Sequence, residues 1–506
     1  MLLIPEYIRN IIHNLENAGL EAYIVGGCVR DLLMAEEPKD WDITTNARPE
    51  EIIKVFLDGK YENTFGTVLL PIKNKAGKTE EAVEITTYRS EQGYSDRRHP
   101  DKVRFENKLE KDLERRDFTI NAMALRQLRI TNYELRINEK KIIIDGEKYG
   151  LVDLFGGEKD IKKKIVRAVG EPVDRFKEDG LRMMRAVRLA CQLNFIIEPK
   201  TERAIIKLAG SIKYISGERI RDELIKILES KCAADGIIML HELKLLQYIL
   251  PELERGVGVD QNRHHVYTVF KHSVLSLKYT PSQDWRVKFA SLLHDIAKPQ
   301  TKRMIGGAPA TGAGQIATFY NHDIVGAKVA KKIMQRLKFA NADIAKVITL
   351  IKNHMFYYNV GEVTASSVRR LIRKVGEENL ADLIDLRIAD RLGSGVPKAK
   401  PYKLRHLEYM MKKVRHDPIS VKMLKINGDE LMSLLKIEPS PKIGAILDVL
   451  LSEVIEDPSL NIREYLAKRS LQLNQLELSQ LRQQAKEKIA EKKMEDDQEI
   501  KQEFYV

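Results

Sequence analysis

The stretch Glu21-Ala22-Tyr23-Ile24-Val25-Gly26-Gly27-Cys28-Val29-Arg30-Asp31-Leu32-Leu33, with Asp40-Trp41-Asp42-Ile43-Thr44 close behind it, decides how this chain is read. A short apolar strand over 21–25 runs into two glycines and then into helical text. Glycines at such a turn let the backbone approach a ligand, and the exposed amides of the helix start can hold phosphate oxygens. Gly26, Gly27 and Arg30 are therefore candidate nucleotide-binding residues. Arg30 adds weight, because a cation in the first turn opposes the helix dipole unless an anion lies nearby. Alone, a strand–Gly-Gly–helix turn is common and mostly structural.

The aspartates sharpen the reading. If 40–44 is a strand, Asp40 and Asp42 share one face. Two carboxylates on one face repel each other unless cations lie between them. Mg²⁺ is typically held by one or two carboxylates plus substrate phosphates. Glu84, in Val83-Glu84-Ile85-Thr86-Thr87-Tyr88-Arg89, is a candidate third carboxylate from a neighbouring strand. A solvated, charged strand edge would give the same text. The Gly-Gly turn upstream favours a phosphate cradle beside a metal pair.

Outward from this stretch, residues 1–150 mix helix and strand signals. An amphipathic helix is expected over 4–18, stopping at Gly19, with strands over 63–72, 82–88 and 142–145. From about residue 151 helical periodicity takes over, as in 174–193, 201–208, 218–228 and 268–277. The Gly-rich segment 303–318 reads as a hairpin or loop inside helical text. A basic, proline-containing linker follows at 393–403. The Gln-, Glu- and Lys-rich stretch 470–503 reads as a solvated helix or frayed tail.

Composition bounds the function. The chain has 506 residues, a prior of about three domains, and its 43% hydrophobic content is too high for a disordered protein. Lys and Arg number 85 against 73 Asp and Glu, giving a net charge of +12. That excess favours a polyanionic partner, nucleic acid or anionic lipid, although many mildly basic proteins bind neither. Cys28, Cys191 and Cys232 are odd in number and far apart, which argues against a disulfide scaffold and a cysteine zinc module. No run approaches the ~18 apolar residues of a membrane span, and no signal peptide is evident. A cytoplasmic protein with no membrane partner is expected.

The motifs resemble those of the polymerase-β-like nucleotidyltransferases, and more closely the bacterial tRNA nucleotidyltransferase (CCA-adding) and poly(A) polymerase group. After Gly26-Gly27 and Asp40-Trp41-Asp42 come Arg115-Arg116-Asp117-Phe118-Thr119-Ile120-Asn121-Ala122, then Asp153-Leu154-Phe155-Gly156-Gly157. Glu178-Asp179-Gly180-Leu181-Arg182 and Gly217-Glu218-Arg219-Ile220-Arg221 follow, so the ordered match covers about 20–230. The resemblance implies an α+β head with a small mixed sheet, then all-α neck, phosphohydrolase and tail domains. The implied boundaries are 1–150, 151–262, 263–395 and 396–506. It implies that Asp40 and Asp42 hold Mg²⁺ for two-metal catalysis. Arg115, Arg116, Asp117, Asn121, Arg185 and Arg188 would line the nucleotide site.

Asp179 and Arg182, three apart, are expected on one helical face. They could form a mere surface ion pair. As a base reader, the carboxylate accepts the amino group of cytosine or adenine while the guanidinium donates to a ring nitrogen. Guanine and uracil invert both contacts, and unpaired desolvated groups discriminate strongly. The resemblance implies this use, with Glu178 as a brace. Segment 91–101 resembles the family's flexible loop, which is needed for terminal A addition.

A second constellation lies in helical text: His272, His294-Asp295, His322, His354 and Asp390, with Lys298 nearby. Imidazoles and carboxylates converging from several helices suit Mn²⁺, Ni²⁺, Fe²⁺ or Co²⁺. The series resembles the HD metal phosphohydrolases. That resemblance implies His272, His294, Asp295 and Asp390 as primary ligands, with His322 and His354 at a second metal or phosphate. Lys298 would assist phosphate binding. Phosphomonoesters and 2′,3′-cyclic phosphodiesters would be its substrates. The tail would grip tRNA. The leading expectation is a CCA-adding enzyme that uses CTP and ATP. An A-adding enzyme, a poly(A) polymerase, a catalytically inert RNA-binding protein and a nucleotide-responsive HD regulator are the rivals.

Overall fold

The computed structural model describes residues 4–61, 66–73, 78–93, 102–128, 135–136, 138–144, 146–261, 266–305, 316–356, 358, 363–396, 399–414 and 421–483. They form two compact units, one of residues 1–255 with 333–339 and one of 256–332 with 340–506. Among the described residues no helix is long and apolar enough to cross a membrane.

The first unit opens with α1 (Glu6–Asn17), which buries Ile8, Ile11, Ile12 and Leu15 and stops before Gly19. Its sheet is built from β1 (Ala22–Val25), β2 (Asp42–Thr45), β3 (Lys60–Tyr61), β4 (Thr67–Lys73) and β5 (Thr79–Thr87). A separate hairpin, β6 (Arg89–Gln92) with β7 (Lys102–Phe105), flanks the expected flexible loop, most of which lies outside the described residues. Strands β8 (Ala124–Gln127), β9 (Glu139–Ile144) and β10 (Glu147–Val152) complete the sheet, in the order β3-β4-β5-β2-β1-β8-β10-β9. Strand β1 is buried along its whole length. Ala22 and Ile24 enter one core, with Val29, Ile43 and Ile85, while Tyr23 and Val25 enter another with Tyr88 and Leu113. That is the period of two expected of a strand covered on both faces.

Two sequence expectations change here. The second strand starts at Asp42, and Asp40 lies in an exposed bend before it, so the two aspartates do not share a strand face. Arg115 caps the six-residue α4 (Leu109–Glu114), and the arginine block continues as a 3-10 turn, Thr119–Asn121. The helical text over 174–193 breaks into α6 (Pro172–Glu178) and α7 (Leu181–Leu193). At the break Asp179 is extended and its carboxylate accepts the amide of Leu181, which satisfies an otherwise orphaned donor of the new helix.

Between them, α2 (Gly27–Leu33), α3 (Pro49–Val55) and α5 (Gly157–Lys163) cover the sheet region. The Asp153-x-x-Gly-Gly turn is architectural. The Asp153 carboxylate accepts the amides of Gly157 and Glu158, and a Cβ at Gly157 would lie 2.4 Å from the Thr119 carbonyl oxygen. Helices α8 (Pro199–Leu208), α9 (Gly217–Glu229), α10 (Ala233–Glu242), α11 (Leu246–Ile249) and α12 (Pro251–Glu254) follow.

The second unit begins with α13 (Val269–Lys278), α14 (Trp285–Leu293) and α15 (Lys298–Thr301). The expected hairpin is present as Arg303–Ile305 paired antiparallel with Ile316–Thr318, and its tip lies outside the described residues. Next come α16 (His322–Arg336), α17 (Asn341–Lys352), α18 (Ala365–Val375), α19 (Leu380–Gly393) and α20 (Tyr402–Lys413). Gly393 sets the approach of α19 to α13, since a Cβ there would lie 2.3 Å from Ser276 Oγ. Helices α21 (Gly428–Leu435), α22 (Pro441–Glu456) and α23 (Arg463–Leu473) close around Leu431, Ile446, Leu450 and Leu466. Much of 470–503 lies outside the described residues.

Candidate functional site

The head site starts where β1 ends. Gly26 has φ +89°, a backbone conformation that favours glycine. A Cβ there would meet Arg116 Nη1 at 3.2 Å and Asp42 Oδ2 at 3.3 Å. The glycine therefore faces the second aspartate and the second arginine at once. Burial pushes the Asp42 carboxyl up; the Arg116 charge opposes that and the Asp40 charge adds to it. Asp42 is in register with Glu84 across the parallel β2–β5 pair, and Glu84 is exposed. The donor set is oxygen-only and carries two close carboxylate charges, which fits a hard divalent cation such as Mg²⁺.

Asp112, which the sequence reading missed, organises the arginine pair. Its carboxylate is fully buried; Arg115 donates to Oδ1 at 2.9 and 2.6 Å, and Arg116 to Oδ2 at 3.1 Å. Burial opposes its ionisation, but the two guanidiniums outweigh that and hold it below the usual carboxylate range. The available signal was the Asp-x-x-Arg-Arg spacing, which places one carboxylate within reach of both cations.

Asp117 is half-buried in the same block. Arg185 donates to its Oδ2 at 2.8 Å and the Phe118 amide to its Oδ1 at 2.8 Å. Burial would raise its pKa, yet the charges of Arg185 and Arg182 bring it down to about 2. Arg30 donates to Asn121 Oδ1 and Asp31 Oδ1, both at 2.8 Å, so the glycine turn and the 3-10 turn are tied together. Arg188 pairs with buried Glu223 at 3.1 Å. Burial lowers the Arg188 pKa, and the nearby charges of Arg185 and Arg30 act the same way. A cluster of cations this close suits phosphate groups.

The side chains of the two base-reading candidates, Asp179 and Arg182, have different partners. Arg182 pairs with Glu178 and donates to the Arg115 carbonyl at 3.3 Å. Arg219 donates to both oxygens of Asp179, at 3.2 and 2.6 Å. The Asp179 and Arg182 side chains do not pair, because Asp179 stands in the break between α6 and α7 rather than on one helix with Arg182. Arg219 and Glu223, both on α9, are contacts the sequence reading did not assign. Cys28 plays no nucleophilic part here: burial pushes its thiol up to about 12.

In the second unit, every residue of the histidine–aspartate series converges. His272 comes from α13, His294 and Asp295 follow α14, His322 opens α16, His354 follows α17 and Asp390 lies in α19. All are buried. The ligand atoms of His272, His294 and Asp390 lie within 4.8 Å of one another, as do those of His294, Asp295 and His354. Nδ1 of His294, His322 and His354 donates to the carbonyls of Ser291, Phe319 and Ile351 at 2.8, 2.7 and 2.7 Å. A carbonyl only accepts, so these contacts fix the tautomer and leave Nε2 with a lone pair. Nε2 of His272 and Nε2 of His294 stand 3.0 Å apart, and buried His322 Nε2 makes no hydrogen bond. Lone pairs aimed at one another, with Asp295 and Asp390 beside them, fit a transition-metal cation. Lys298 reaches Asp295 at 2.6 Å and Arg387 reaches Asp390 at 2.5 Å.

Three family models match the chain: a poly(A) polymerase head domain over 22–167, a probable RNA- and SrmB-binding site of polymerase A over 194–256, and a tRNA nucleotidyltransferase domain 2 over 316–469. The A-adding tRNA nucleotidyltransferase of Deinococcus radiodurans is 36% identical over 357 residues, which is 68% of this chain and 74% of that protein. The CCA-adding enzyme of Limosilactobacillus reuteri is 42% identical over 254 residues, half of this chain and 56% of that enzyme. In fold, the chain resembles the Bacillus stearothermophilus CCA-adding enzyme solved with CTP, at TM-score 0.65 and 24% identity, over 94% of this chain and 98% of that one.

Proposed function

Because this chain belongs to the tRNA nucleotidyltransferase family, with its poly(A) polymerase head domain, we propose that it adds CCA to the 3′ end of tRNA from CTP and ATP and releases pyrophosphate. The observation that carries this reading is the continuity of the head site. Asp42 and Arg116 meet at Gly26, and Arg182 touches the backbone of Arg115, so phosphate-binding and base-reading groups are neighbours.

Asp40 and Asp42 would hold Mg²⁺, which supplies charge neutralisation of the triphosphate and activation of the acceptor hydroxyl. The remaining work falls to the chain's own side chains. Arg116, Arg30, Arg185 and Arg188 offer cations to the phosphates, held in place by Asp112, Asn121, Asp117 and Glu223. Asp179 offers its carboxylate to an exocyclic amino group, oriented by Arg219, while Arg182, braced by Glu178, offers donors to a ring nitrogen. Glu84 stands in register beside Asp42 as a further carboxylate. The domain scheme proposed for this function is a head over 1–150, a neck over 151–262, a phosphohydrolase over 263–395 and a tRNA-gripping tail over 396–506.

The test incubates the protein and Mg²⁺ with tRNA lacking its 3′ CCA, plus CTP, ATP or both. Addition of C, C and A followed by a stop is the expected result. A single A added only to tRNA ending in CC would move the assignment to A addition, a reading favoured by the Deinococcus relative. Long A tails would instead mark a polyadenylating enzyme.

For the second unit, the reading is an HD-type metal phosphohydrolase acting on phosphomonoesters and 2′,3′-cyclic phosphodiesters. His272, His294, Asp295 and Asp390 would hold Mn²⁺, Ni²⁺ or Co²⁺, which supplies an activated water and polarises the phosphoryl oxygens. His322 and His354 would hold a second metal or contact phosphate, and Lys298 would assist phosphate binding. Release of product from 2′,3′-cyclic AMP on adding Mn²⁺, and its loss in Asp295→Ala, is the expected outcome.

A further inference from the structure

Helix α20 has two unlike faces. Leu404, Leu407 and Met411 are buried against Val368, Ile372, Ile384 and Ile388. A second stripe, Tyr402, His406 and Tyr409, runs along the helix at spacings of four and three and so shares one side of it. Tyr402 is 62% exposed and Tyr409 58% exposed. The ring of His406 lies 5.9 Å from Tyr402 and 6.0 Å from Tyr409. Tyr358 joins them, its hydroxyl 2.5 Å from His406 Nδ1 and its ring 5.9 Å from the imidazole. Exposed Lys403, Arg405 and Lys412 interleave with the rings.

The stripe and the histidine–aspartate cluster are joined by one short segment. Arg387 pairs with Asp390 and also lies over the Phe356 ring at 6.0 Å. Phe356 and Tyr358 come two and four residues after His354. That segment therefore carries one ring against the Arg387–Asp390 pair and another against His406 of α20.

Exposed rings spaced for stacking, with cations between them, form the arrangement that holds unpaired bases while tracking a phosphate backbone. We propose that Tyr402, His406 and Tyr409, with Tyr358, form a stacking platform for the unpaired 3′ end of an RNA whose terminal phosphate enters the histidine–aspartate cluster. The proposal deepens the phosphohydrolase reading: the substrate is the end of an RNA strand, not a free nucleotide. The interleaved positive charge favours RNA over a second copy of this basic chain as the occupant.

Two measurements on the full-length protein test it. In the first, Tyr409→Trp places a fluorophore in the stripe. An unstructured RNA dodecamer should quench it, and a blunt RNA duplex should not. No quenching overturns the proposal, and this arm does not depend on phosphohydrolase activity. In the second, hydrolysis of an oligonucleotide ending in a 2′,3′-cyclic phosphate is compared with that of 2′,3′-cyclic AMP. The Tyr402→Ala, Tyr409→Ala double variant should raise KM for the oligonucleotide by about tenfold, the size of loss that removing base stacking produces, with the mononucleotide unchanged. Tyr402→Phe with Tyr409→Phe should keep wild-type KM for both, since stacking needs the ring and not the hydroxyl. Equal effects on both substrates overturn the proposal. So does a change in sedimentation of the alanine variant with unchanged RNA binding, which would mark the stripe as a contact between copies. If neither substrate is hydrolysed by the wild type, the phosphohydrolase reading fails while the quenching result still decides the platform.

Discussion

Asp112 accepts from both Arg115 and Arg116 while fully buried, so its removal strands two guanidiniums. Removing one partner of such a buried pair costs about 3 kcal/mol. Asp112→Asn is expected to lower the unfolding free energy by about that amount in denaturant titration, and to reduce nucleotide incorporation although it touches no substrate. Asp117 gives a pH dependence. Its pKa is about 2 in the fold against an ordinary value of 3.8, so the folded state favours the ionised form. Its contribution is fully present above the ordinary value and is lost as pH falls through 4 toward 2. Roughly 2 kcal/mol of stability should disappear in that window. Asp117→Asn should flatten this part of the stability-against-pH curve. Arg182→Ala is expected to admit GTP and UTP more readily while Mg²⁺ dependence is retained. Unchanged CTP and ATP selectivity in single-turnover incorporation would count against base reading by Arg182.

The elements show where local text misled. Residues 174–193 carry continuous helical periodicity, yet the chain breaks at Asp179-Gly180, where the Asp179 carboxylate accepts the first amide of α7 and is held by Arg219 from α9. Periodicity reports which face is apolar and is blind to a two-residue break between helical turns. The same is true of Asp40, which a strand pattern pulled into β2 but which stands in a bend. The strand–Gly-Gly–helix turn was legible because Gly26 needs its backbone conformation. The β8, β9 and β10 strands were less legible, since only 142–145 has a clear strand signal and the rest depends on pairing, β8 with β1 and β10 with β8 and β9. Asp179→Ala removes the amide contact of α7 together with the Arg219 fork. It should cost about 1 kcal/mol from the lost amide contact in thermal unfolding, with a further loss from the fork.

At the scale of the whole chain, two clusters of different chemistry occupy two units. The head offers oxygen donors and arginines; the second unit offers imidazoles and buried carboxylates. Asp42→Ala should abolish nucleotide incorporation and leave Mn²⁺ binding by the second cluster intact, as read by calorimetry; Asp295→Ala should do the reverse. The net charge of +12 has become a statement about place as well as amount. Arg115, Arg116, Arg185 and Arg219 are each matched to a buried or half-buried carboxylate, and Lys403, Arg405 and Lys412 are exposed on α20. The sequence alone determined the motif order, the two kinds of donor set and the change from mixed to helical architecture. Spacing and residue type suffice for these, because they depend on chemistry and local periodicity. Only the tertiary structure decided that Asp112 organises the arginines, that Arg219 rather than Arg182 grips Asp179, and that six histidine and aspartate side chains from five separate segments meet. Those outcomes depend on which distant segments share a core, and local sequence does not encode that distance.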